Sequence, residues 1–359
     1  MKILLLGEFS SLHKYLKQGL IESGHEVILA ADGDGWKQID GADMPFTGSY
    51  GKGIKHFFVN IVNYWNNVKQ FQNFDVVQIL DPLPYPCLVN LFMLKIIKKQ
   101  NRLLSLVSAG GDYALVRAYK AGKFDYYICD YDDKYVRKYS GSLKGAVHAL
   151  VAKKVEDLVD VIIPIHYEYS LGYTNNERLT KVIPCGIDLT KITYNKNIVR
   201  DKIVFFHGIN DELKKGTPFI REALKRLMKK YPDKVEVIID GHMPFDKYVD
   251  VMNKANIVID QCCSYAYGIN AMIAMAQGKV VMAGARKETT FALGANTCPI
   301  IHISPDIDQI YEQLLYIVDN VDKIEQMGIA SRKYVETYHD CIKIAKEYVH
   351  EWEEKSENK

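Results

Sequence analysis

The sequence predicts an α/β protein with two domains, each built on a parallel β-sheet, and three observations support this. The chain has 359 residues, more than one ordinary hydrophobic core organises. Short, continuously apolar runs recur along it, as in strands that are buried on both faces of a sheet. Segments with helical spacing of apolar residues lie between these runs, and such alternation is typical of parallel α/β sheets.

The first half begins with a predicted strand, helix and strand. An apolar run from Lys2 to Leu6 ends at Gly7, and a helix follows whose start Ser10 or Ser11 can cap. Two parallel strands joined in this way require a right-handed crossover through the helix. Further strands of this half are expected at residues 25–30, 75–80, 103–107, 161–165 and 181–188.

The second half repeats this order of elements. Thr217 followed by Pro218 predicts a helix that has Thr217 as its N-cap, with Met228 on its buried face. The strands of this half are expected at residues 203–206, 235–239, 257–260 and 279–282. Its later helices are expected at residues 269–277, 307–319 and 340–353.

These elements predict two Rossmann-like domains, at residues 1–175 and 176–339, with the C-terminal helix 340–359 packing back on the first. Ligands of open parallel sheets bind beyond the carboxyl ends of the strands, and a cleft between two such domains is the expected site. The loops to consider are therefore residues 7–11, 108–112, 207–216 and 261–270.

Composition excludes several classes of function. A net charge of +2 gives no general reason to expect a nucleic-acid partner. The seven cysteines show no CxxC spacing, so we expect reduced thiols rather than a zinc site or a disulfide framework. The N-terminal MKILLLGEF fits a strand better than a signal peptide, and no apolar stretch reaches about 18 residues. We expect a cytoplasmic protein.

Two loops of the second half have features of phosphate sites. Lys214 and Lys215 precede a helix start, where a diphosphate would meet positive charge and free backbone N–H groups. A solvated lysine pair beside a capped helix explains the same residues. Gly268 stands where a loop becomes a helix, which allows close approach of a phosphate, although a packing glycine also fits.

The segments KKGTPFIREAL, Asp260-Gln261, YGINAMIAMAQGKVVM and KYVETYHD, in this order, resemble glycosyltransferase family 4. Members of that family have the GT-B architecture, two Rossmann-like domains facing across a cleft. The N-terminal GEFSSLHKYLKQGLIESGHEVILAADGDGWK is similar to bacterial surface-polysaccharide members. The resemblance covers most of the chain, and residues 113–150 are its least familiar part.

This resemblance implies transfer of a hexose from a nucleotide diphosphate sugar to a saccharide or lipid-linked acceptor, with retention, in surface-polysaccharide synthesis. No metal or other cofactor is implied, because lysine, arginine and a helix N-terminus neutralise the leaving diphosphate. Lys215 matches the lysine that holds the diphosphate, and Gly268 with Ile269 matches the glycine turn that contacts it. Asp112 lies on the loop that faces the acceptor or the transferred sugar, and with Lys215 forms the expected catalytic pair.

The expected donor-binding residues are His207, Gly208, Lys215, Gly216, Ser264, Tyr265, Gly268, Ile269, Asn270 and Glu288. On the first-domain loops the expected residues are Glu8, Ser10, Gly110 and Gly111. For His207 and Glu8 a structural role fits equally well.

The chain departs from the family pattern at Ile209, where an arginine is usual, and at Tyr265 and Ile273, where two glutamates are usual. Donor binding rerouted through Arg286 or Glu288 is one consequence. Another is a non-catalytic GT-B-fold binding or partner subunit. A sugar-nucleotide epimerase shares the two-domain form and stays open. A nicotinamide oxidoreductase is disfavoured, because the first turn lacks GxGxxG.

Two aromatic segments have two interpretations each. Residues 52–69 combine apolar and aromatic residues with lysines, which fits either a membrane interface holding a lipid-linked acceptor or an internal helix. The Tyr-rich residues 113–139 can line an acceptor groove or form a covering loop. We therefore include peripheral contact with the inner face of the membrane among the expectations.

Overall fold

The computed structural model describes residues 1–34, 39–46, 54–241 and 245–357, without the side chains of residues 54–58, 245, 246 and 248. The chain forms two compact units. Unit 1 consists of residues 1–123, 134–188 and 341–359, and unit 2 of residues 124–133 and 189–340.

Unit 1 contains a parallel sheet of five strands in the order β2-β1-β3-β4-β5. Its strands are β1 (Lys2–Leu6), β2 (Glu26–Ala30), β3 (Val76–Ile79), β4 (Leu103–Ser108) and β5 (Val161–Pro164). In the register of this sheet, Leu4 of the central strand pairs with Ile28 on one side and with Val77 on the other. The continuous apolar runs that predicted these strands are buried on both faces, as the sequence required.

Helices cover both faces of this sheet. They are α1 (Leu12–Glu22), α2 (Ile54–Gln70), α3 (Cys87–Gln100), α4 (Tyr113–Lys120), α5 (Lys134–Tyr139), α6 (Leu143–Leu158), α7 (Tyr167–Ser170) and α15 (Cys341–Glu357). Tyr64 of α2, Leu94 of α3 and Val155 of α6 share one core with Leu4 and Leu104. Helices α1 and α15 pack against each other, and α15 also packs on β4.

Unit 2 repeats this arrangement with the strand order β10-β9-β8-β6-β7. Its strands are β6 (Ile203–Ile209), β7 (Val235–Gly241), β8 (Ile257–Ile259), β9 (Val280–Ala283) and β10 (Ile301–His302). Its helices are α8 (Glu212–Lys215), α9 (Thr217–Lys230), α10 (Phe245–Lys254), α11 (Ile269–Ala276), α12 (Lys287–Ala292), α13 (Ile307–Asp319) and α14 (Ile324–Tyr338). Counted from the start of each unit, both sheets have the order 2-1-3-4-5, and the order reverses between the first and third strands.

The core of unit 1 contains a chain of buried hydrogen bonds. Trp352 Nε1 donates to Ser105 Oγ (3.2 Å), which donates to Gln78 Oε1 (3.1 Å). Gln78 Nε2 donates to His13 Nε2 (3.1 Å), and His13 Nδ1 donates to the Gly7 carbonyl (2.8 Å). Burial lowers the pKa of His13 to about 4, so the imidazole is neutral and its Nε2 can accept. This chain connects α15 through the sheet to the loop after β1.

The prediction of a strand at residues 181–188 is wrong. The chain there is extended beside β5, with the Thr180 amide donating to the Ile162 carbonyl (3.0 Å) and the Ile183 amide to the Pro164 carbonyl (3.0 Å). Pro184 follows and has no N–H group, so the ladder does not continue as a regular strand. Met228, expected on the buried face of α9, is exposed.

We predict that Gln78→Leu lowers the free energy of unfolding by about 3 kcal/mol, because Ser105 and His13 then lose their buried partner. Equilibrium urea unfolding of the full chain measures this. The matched control, Gln72→Leu on the surface, should change stability by no more than about 0.5 kcal/mol. Equal effects of the two substitutions would show that the buried chain contributes nothing specific.

Candidate functional site

The candidate site lies at the carboxyl edge of the unit 2 sheet, where the strand order reverses between β6 and β8. β6 ends at Ile209, and Asp260 follows the last residue of β8. Helices α9 and α11 both begin at this edge, so their first N–H groups have no partner within the helix. A parallel sheet with two helix N-termini at its switch point is a common anion-binding arrangement.

A buried ion pair occupies the centre of this edge. Lys215 is 5% exposed, and its ammonium is paired with Asp260 Oδ1. The Gly268 amide, at the start of α11, donates to Asp260 Oδ2 (3.0 Å). Burial alone would raise the pKa of Asp260, but the ammonium and the amide together lower it below its ordinary value. Two groups that the sequence assigned to a donor diphosphate therefore converge on one protein carboxylate.

Gly216 allows the lysine to reach this position. Its backbone has φ of 71°, a left-handed conformation that glycine adopts without strain. A Cβ atom at this position would overlap Cys262 Sγ, so no larger residue fits. The Cys262 amide donates to the Lys215 carbonyl (3.1 Å), which holds the loop against the segment after β8.

His207 uses both of its ring nitrogens in hydrogen bonds within the protein. Its Nδ1 donates to the Ile259 carbonyl (2.9 Å), and the Thr217 hydroxyl donates to its Nε2 (2.9 Å). Burial lowers the pKa of His207 to about 4, so both nitrogens are used by a neutral ring. Thr217 is consequently the first residue of α9 and not its N-cap, which is Gly216.

Tyr265 stands where the family pattern has its first glutamate, and its contacts are aromatic and cationic. The Arg286 guanidinium lies 4.2 Å from the centroid of the Tyr265 ring. Arg286 is also paired with Glu288 (3.2 Å) and with Asp125. The Asp125 amide donates to the Tyr265 hydroxyl (2.6 Å). Arg286 and Glu288, proposed as rerouted donor contacts, are thus side by side at this edge.

A Tyr-rich segment, residues 124–133, belongs to unit 2 and packs on its loops. The ring of Phe124 lies 5.6 Å from that of Tyr265, and the ring of Tyr131 lies 5.3 Å from that of Phe219 in α9. This part of residues 113–139 is therefore a cover over the loop after β8 and the start of α9. The sequence offered a covering loop as one of two interpretations of residues 113–139, but it did not show what the loop covers, because nothing in the spacing connects residues 124–133 with a loop more than a hundred positions away.

The remaining predicted donor residues differ in exposure. Ser264 is buried, Gly208 and Ile269 are half-buried, and Asn270 is exposed in the first turn of α11. The two other departures from the family pattern, Ile209 and Ile273, are half-buried at the end of β6 and in α11. Neither side chain can donate or accept a hydrogen bond.

Asp112, predicted to be catalytic, is a capping residue in the structure. It is 3% exposed and accepts from the Leu115 amide (2.8 Å), the Ser108 hydroxyl (3.0 Å) and the Tyr173 hydroxyl (2.9 Å). Burial raises its pKa despite these three donors. The carboxylate begins α4 and has no face left for an acceptor, which corrects the prediction.

Glu8 also caps a helix. Its carboxylate accepts from the Phe9 amide (2.6 Å) and the Lys14 amide (2.8 Å), and burial raises its pKa. Ser11 occupies the N-cap position of α1 but makes no side-chain cap bond, which corrects the cap predicted there. The Ser10 amide donates to Asp34 Oδ2 (2.9 Å).

Gly110 and Gly111 follow β4 in left-handed conformations. A Cβ atom on Gly110 would lie 2.7 Å from the ring of Tyr169, and one on Gly111 would lie 2.9 Å from the ring of Tyr135. Both glycines therefore allow tyrosines to pack on the loop. The structure brings Lys215, Gly216 and Gly268 together in unit 2, and places Glu8, Ser10, Gly110 and Gly111 on the loops of unit 1.

Within the part of the chain that the structure describes, no cluster of three or more histidine, cysteine or acidic side chains is arranged to hold a metal ion. All seven cysteines are free thiols. Among the same residues, no helix combines the length and the apolar character needed to cross a membrane.

Comparison with known proteins gives a structural match and no sequence match. No protein-family model matches the chain, and no curated protein sequence matches it. Sucrose-phosphate synthase from Thermosynechococcus elongatus is similar in structure, with a TM-score of 0.65, 13% identity and 99% of each chain covered. HepE from Anabaena in complex with UDP-glucose has a TM-score of 0.64, 14% identity and 98% of each chain covered.

A third similar structure is the UDP-GlcNAc 2-epimerase from Neisseria meningitidis bound to UDP-GlcNAc. Its TM-score is 0.57 at 14% identity, covering 98% of this chain and 99% of the other. Likeness at such low identity concerns the fold. The chain therefore has the α/β fold of the GT-B glycosyltransferases, with two parallel five-stranded sheets, and the predicted fold class is confirmed.

We predict that Lys215→Met destabilises the protein by about 3–5 kcal/mol, because Asp260 stays buried without its counterion. The double variant Lys215→Met/Asp260→Asn should recover about half of this loss, since the amide can still accept from Gly268. Urea unfolding measures both.

The matched control for this pair is the exposed pair of Arg226 and Asp308 (2.6 Å). Arg226→Met should change the free energy of unfolding by less than about 1 kcal/mol. If the double variant is less stable than Lys215→Met alone, the two charges do not compensate each other.

We predict that the free energy of unfolding falls as the pH drops from about 6.5 to about 4. In this range His13 and His207 are protonated in the unfolded chain but stay neutral in the folded protein. Each histidine contributes a loss of about 3 kcal/mol by pH 4, and none above about pH 6.5. Unfolding free energies measured across this range should show a smaller slope in His13→Gln and in His207→Gln. The exposed His350→Gln should keep the slope of the unaltered protein, and an unchanged slope in all three would contradict the assignment.

Proposed function

We propose that the protein is a glycosyltransferase that moves a hexose from a nucleotide diphosphate sugar to a saccharide or lipid-linked acceptor, with retention and without a metal ion. The observation that carries the proposal is the convergence of Lys215 and the Gly268 amide on a single oxyanion at the switch point of the unit 2 sheet. This pair of donors is arranged for an anion at the place where α/β sheets bind phosphorylated ligands.

In this proposal the donor diphosphate binds over the first turn of α11. The unpaired first-turn amides of Ile269 and Asn270 donate to its oxygens, as helix N-termini do for phosphates. Lys215 supplies the positive charge that stabilises the leaving diphosphate, and Asp260 fixes the direction of the ammonium. The neutralising charge comes from the chain itself, so the proposed chemistry assigns no role to a metal.

The nucleotide ribose needs another contact than the family glutamate, because Ile273 is apolar. Glu288 is a partly exposed acidic side chain of this edge, and its ion pair with Arg286 holds it beside Tyr265. We assign the ribose contact to Glu288. HepE, which has this fold, is described in complex with UDP-glucose, and this supports a uridine nucleotide as the first donor to test.

The acceptor belongs to unit 1 in this proposal. We propose a cytoplasmic protein in bacterial surface-polysaccharide synthesis that contacts the inner face of the membrane peripherally to reach a lipid-linked acceptor. A hexose is assigned as the transferred sugar, because the HepE complex contains a glucosyl nucleotide.

A thermal-shift and titration screen with UDP, GDP and their common sugars tests donor binding. One nucleotide should raise the melting temperature of the unaltered protein and of the control Lys214→Met. Lys215→Met/Asp260→Asn, which keeps the site uncharged, should bind that nucleotide at least about tenfold more weakly. Release of the nucleoside diphosphate from the bound sugar nucleotide should then require an acceptor.

Two rival functions are separate outcomes of this experiment. If no nucleotide binds, the proposal is overturned in favour of a non-catalytic GT-B-fold subunit. The side chains of Ile209, Tyr265 and Ile273 favour that alternative. Epimerisation of UDP-GlcNAc without an acceptor would favour an epimerase, the activity named for one of the similar structures.

A further inference from the structure

Three helices of unit 1 present apolar side chains to solvent on one side of the sheet. Helices α2, α3 and α6 precede β3, β4 and β5, which are neighbours in the sheet, and α3 packs against both α2 and α6. Their inner residues, among them Tyr64, Leu94 and Val155, share one core. In the part of the chain that the structure describes, several apolar residues on the outer sides of the same helices are exposed.

Helix α3 shows the pattern most clearly. Leu88 is 87% exposed and Phe92 is 57% exposed, and Lys95 and Lys99 follow on the same side of the helix. Leucine and phenylalanine are usually buried, so two such exposures one turn apart need an explanation. Lys99 lies 11 positions after Leu88, which is a rise of about 16 Å along the helix. The exposed apolar residues and the lysines therefore lie at different positions along the helix axis.

Helix α2 repeats this pattern. Val59, Val62 and Trp65 are exposed on one side, and Lys69 follows one turn later. The ring of Trp65 is stacked on that of Phe92 in α3, with centroids 6.1 Å apart and planes 4° apart. This stack makes the outer sides of α2 and α3 one continuous surface. The earlier part of the segment 52–69, namely residues 52 and 53 and the side chains of residues 54–58, lies outside the described residues.

Helix α6 gives the third copy. Leu143 is 84% exposed and Leu150 is 60% exposed, with Val147 exposed between them and Lys154 one turn further on. In all three helices the apolar residues therefore come first and a lysine comes last. Because each helix leads into a parallel strand, the three run in the same direction, and their apolar halves lie toward the carboxyl edge of the sheet.

The charges of this surface have one sign where the apolar residues are exposed. Helices α2 and α3 contain no aspartate or glutamate. Glu156 of α6 is buried and paired with Arg117, and Asp157 is paired with Lys153 (3.4 Å). The chain as a whole has a net charge of only +2, so these lysines are a local concentration.

We infer that the outer side of α2, α3 and α6, the three-helix surface, docks on a lipid bilayer that contains anionic lipids. Apolar side chains enter the boundary between headgroups and acyl chains, and the lysines one or two turns further along contact the lipid phosphates. A second copy of the chain fits less well, because both halves of a two-fold contact would contribute lysines, and α2 and α3 contribute no acidic side chain to pair with them.

The surface lies on the same unit as the proposed acceptor loops and rests on the proposed function for its link to a lipid-linked acceptor. The binding itself needs no nucleotide sugar. Vesicle binding and nucleotide binding are therefore measured separately. A failure of nucleotide binding leaves the vesicle result valid, and a failure of vesicle binding leaves the donor site untouched.

Flotation of the full chain with lipid vesicles tests the inference. The protein should float with vesicles of phosphatidylcholine and phosphatidylglycerol, bind weakly to phosphatidylcholine alone, and lose binding as salt is added. The variant Leu88→Gln/Phe92→Gln/Leu150→Gln should bind the anionic vesicles at least about tenfold more weakly. Lys95→Glu/Lys99→Glu should weaken binding to a similar extent.

The matched control is Phe291→Gln in α12 of unit 2, whose side chain is as exposed as that of Phe92 but lies outside the three-helix surface. It should float like the unaltered protein. In a Trp36→Phe background, vesicle binding should also shift the tryptophan emission to shorter wavelength. Trp65→Phe should remove most of that shift, since the other tryptophan, Trp352, is buried in the core.

Two results would overturn the inference. The unaltered protein does not bind anionic vesicles, or the apolar triple variant binds them as well as the control does. If the unaltered protein does not bind vesicles and sediments as a dimer that the triple variant turns into a monomer, the surface belongs to a contact with a second copy.

Discussion

A lysine ammonium that is removed from water needs an anion beside it, and much of unit 2 follows from this requirement. Asp260 supplies the anion at the end of β8, and Gly268 completes the carboxylate's hydrogen bonds from the start of α11. Gly216 is required because the loop that carries Lys215 passes directly over the cysteine after β8. The reversal of strand order, two helix starts and one buried charge pair are therefore parts of a single arrangement.

The same arrangement shapes the proposed chemistry. The Lys215–Asp260 pair has no net charge, so a diphosphate here would depend on helix amides as much as on the lysine. Tyr265, in place of a glutamate, holds residues 124–133 through their backbone and rings. Compared with the pattern that the sequence resembles, packing therefore takes the place of polar contacts at one end of the candidate site, and Lys215 and Gly268 are present at the other end. Membrane docking through the three-helix surface would place the acceptor loops of unit 1 close to a lipid-linked substrate.

The sequence predicted most of the fold because parallel strands such as β1 and β9 are almost continuously apolar and therefore recognisable locally. It failed at residues 181–188, where Pro184 interrupts an otherwise strand-like run, and it missed α14, in which exposed polar residues mask the buried side. For the site, Lys215 and Gly268 could be found from loop chemistry. The pairing of Lys215 with Asp260, 45 positions apart, could not. Asp112 and His207 were assigned to function because their residue types and loops suit it, but burial, which depends on tertiary structure, gives both a structural role.

In the proposed function, a nucleotide diphosphate sugar binds at the Lys215–Gly268 edge and loses its sugar to an acceptor. Phosphorus NMR of UDP-glucose with the protein and a membrane extract as acceptor source tests it most directly. Both diphosphate resonances should broaden and shift when protein is added, and UDP resonances should replace them only when the extract is present. The proposal would be wrong for UDP-glucose, and for close analogues measured in the same way, if the resonances stay unchanged with excess protein and no UDP forms after the extract is added.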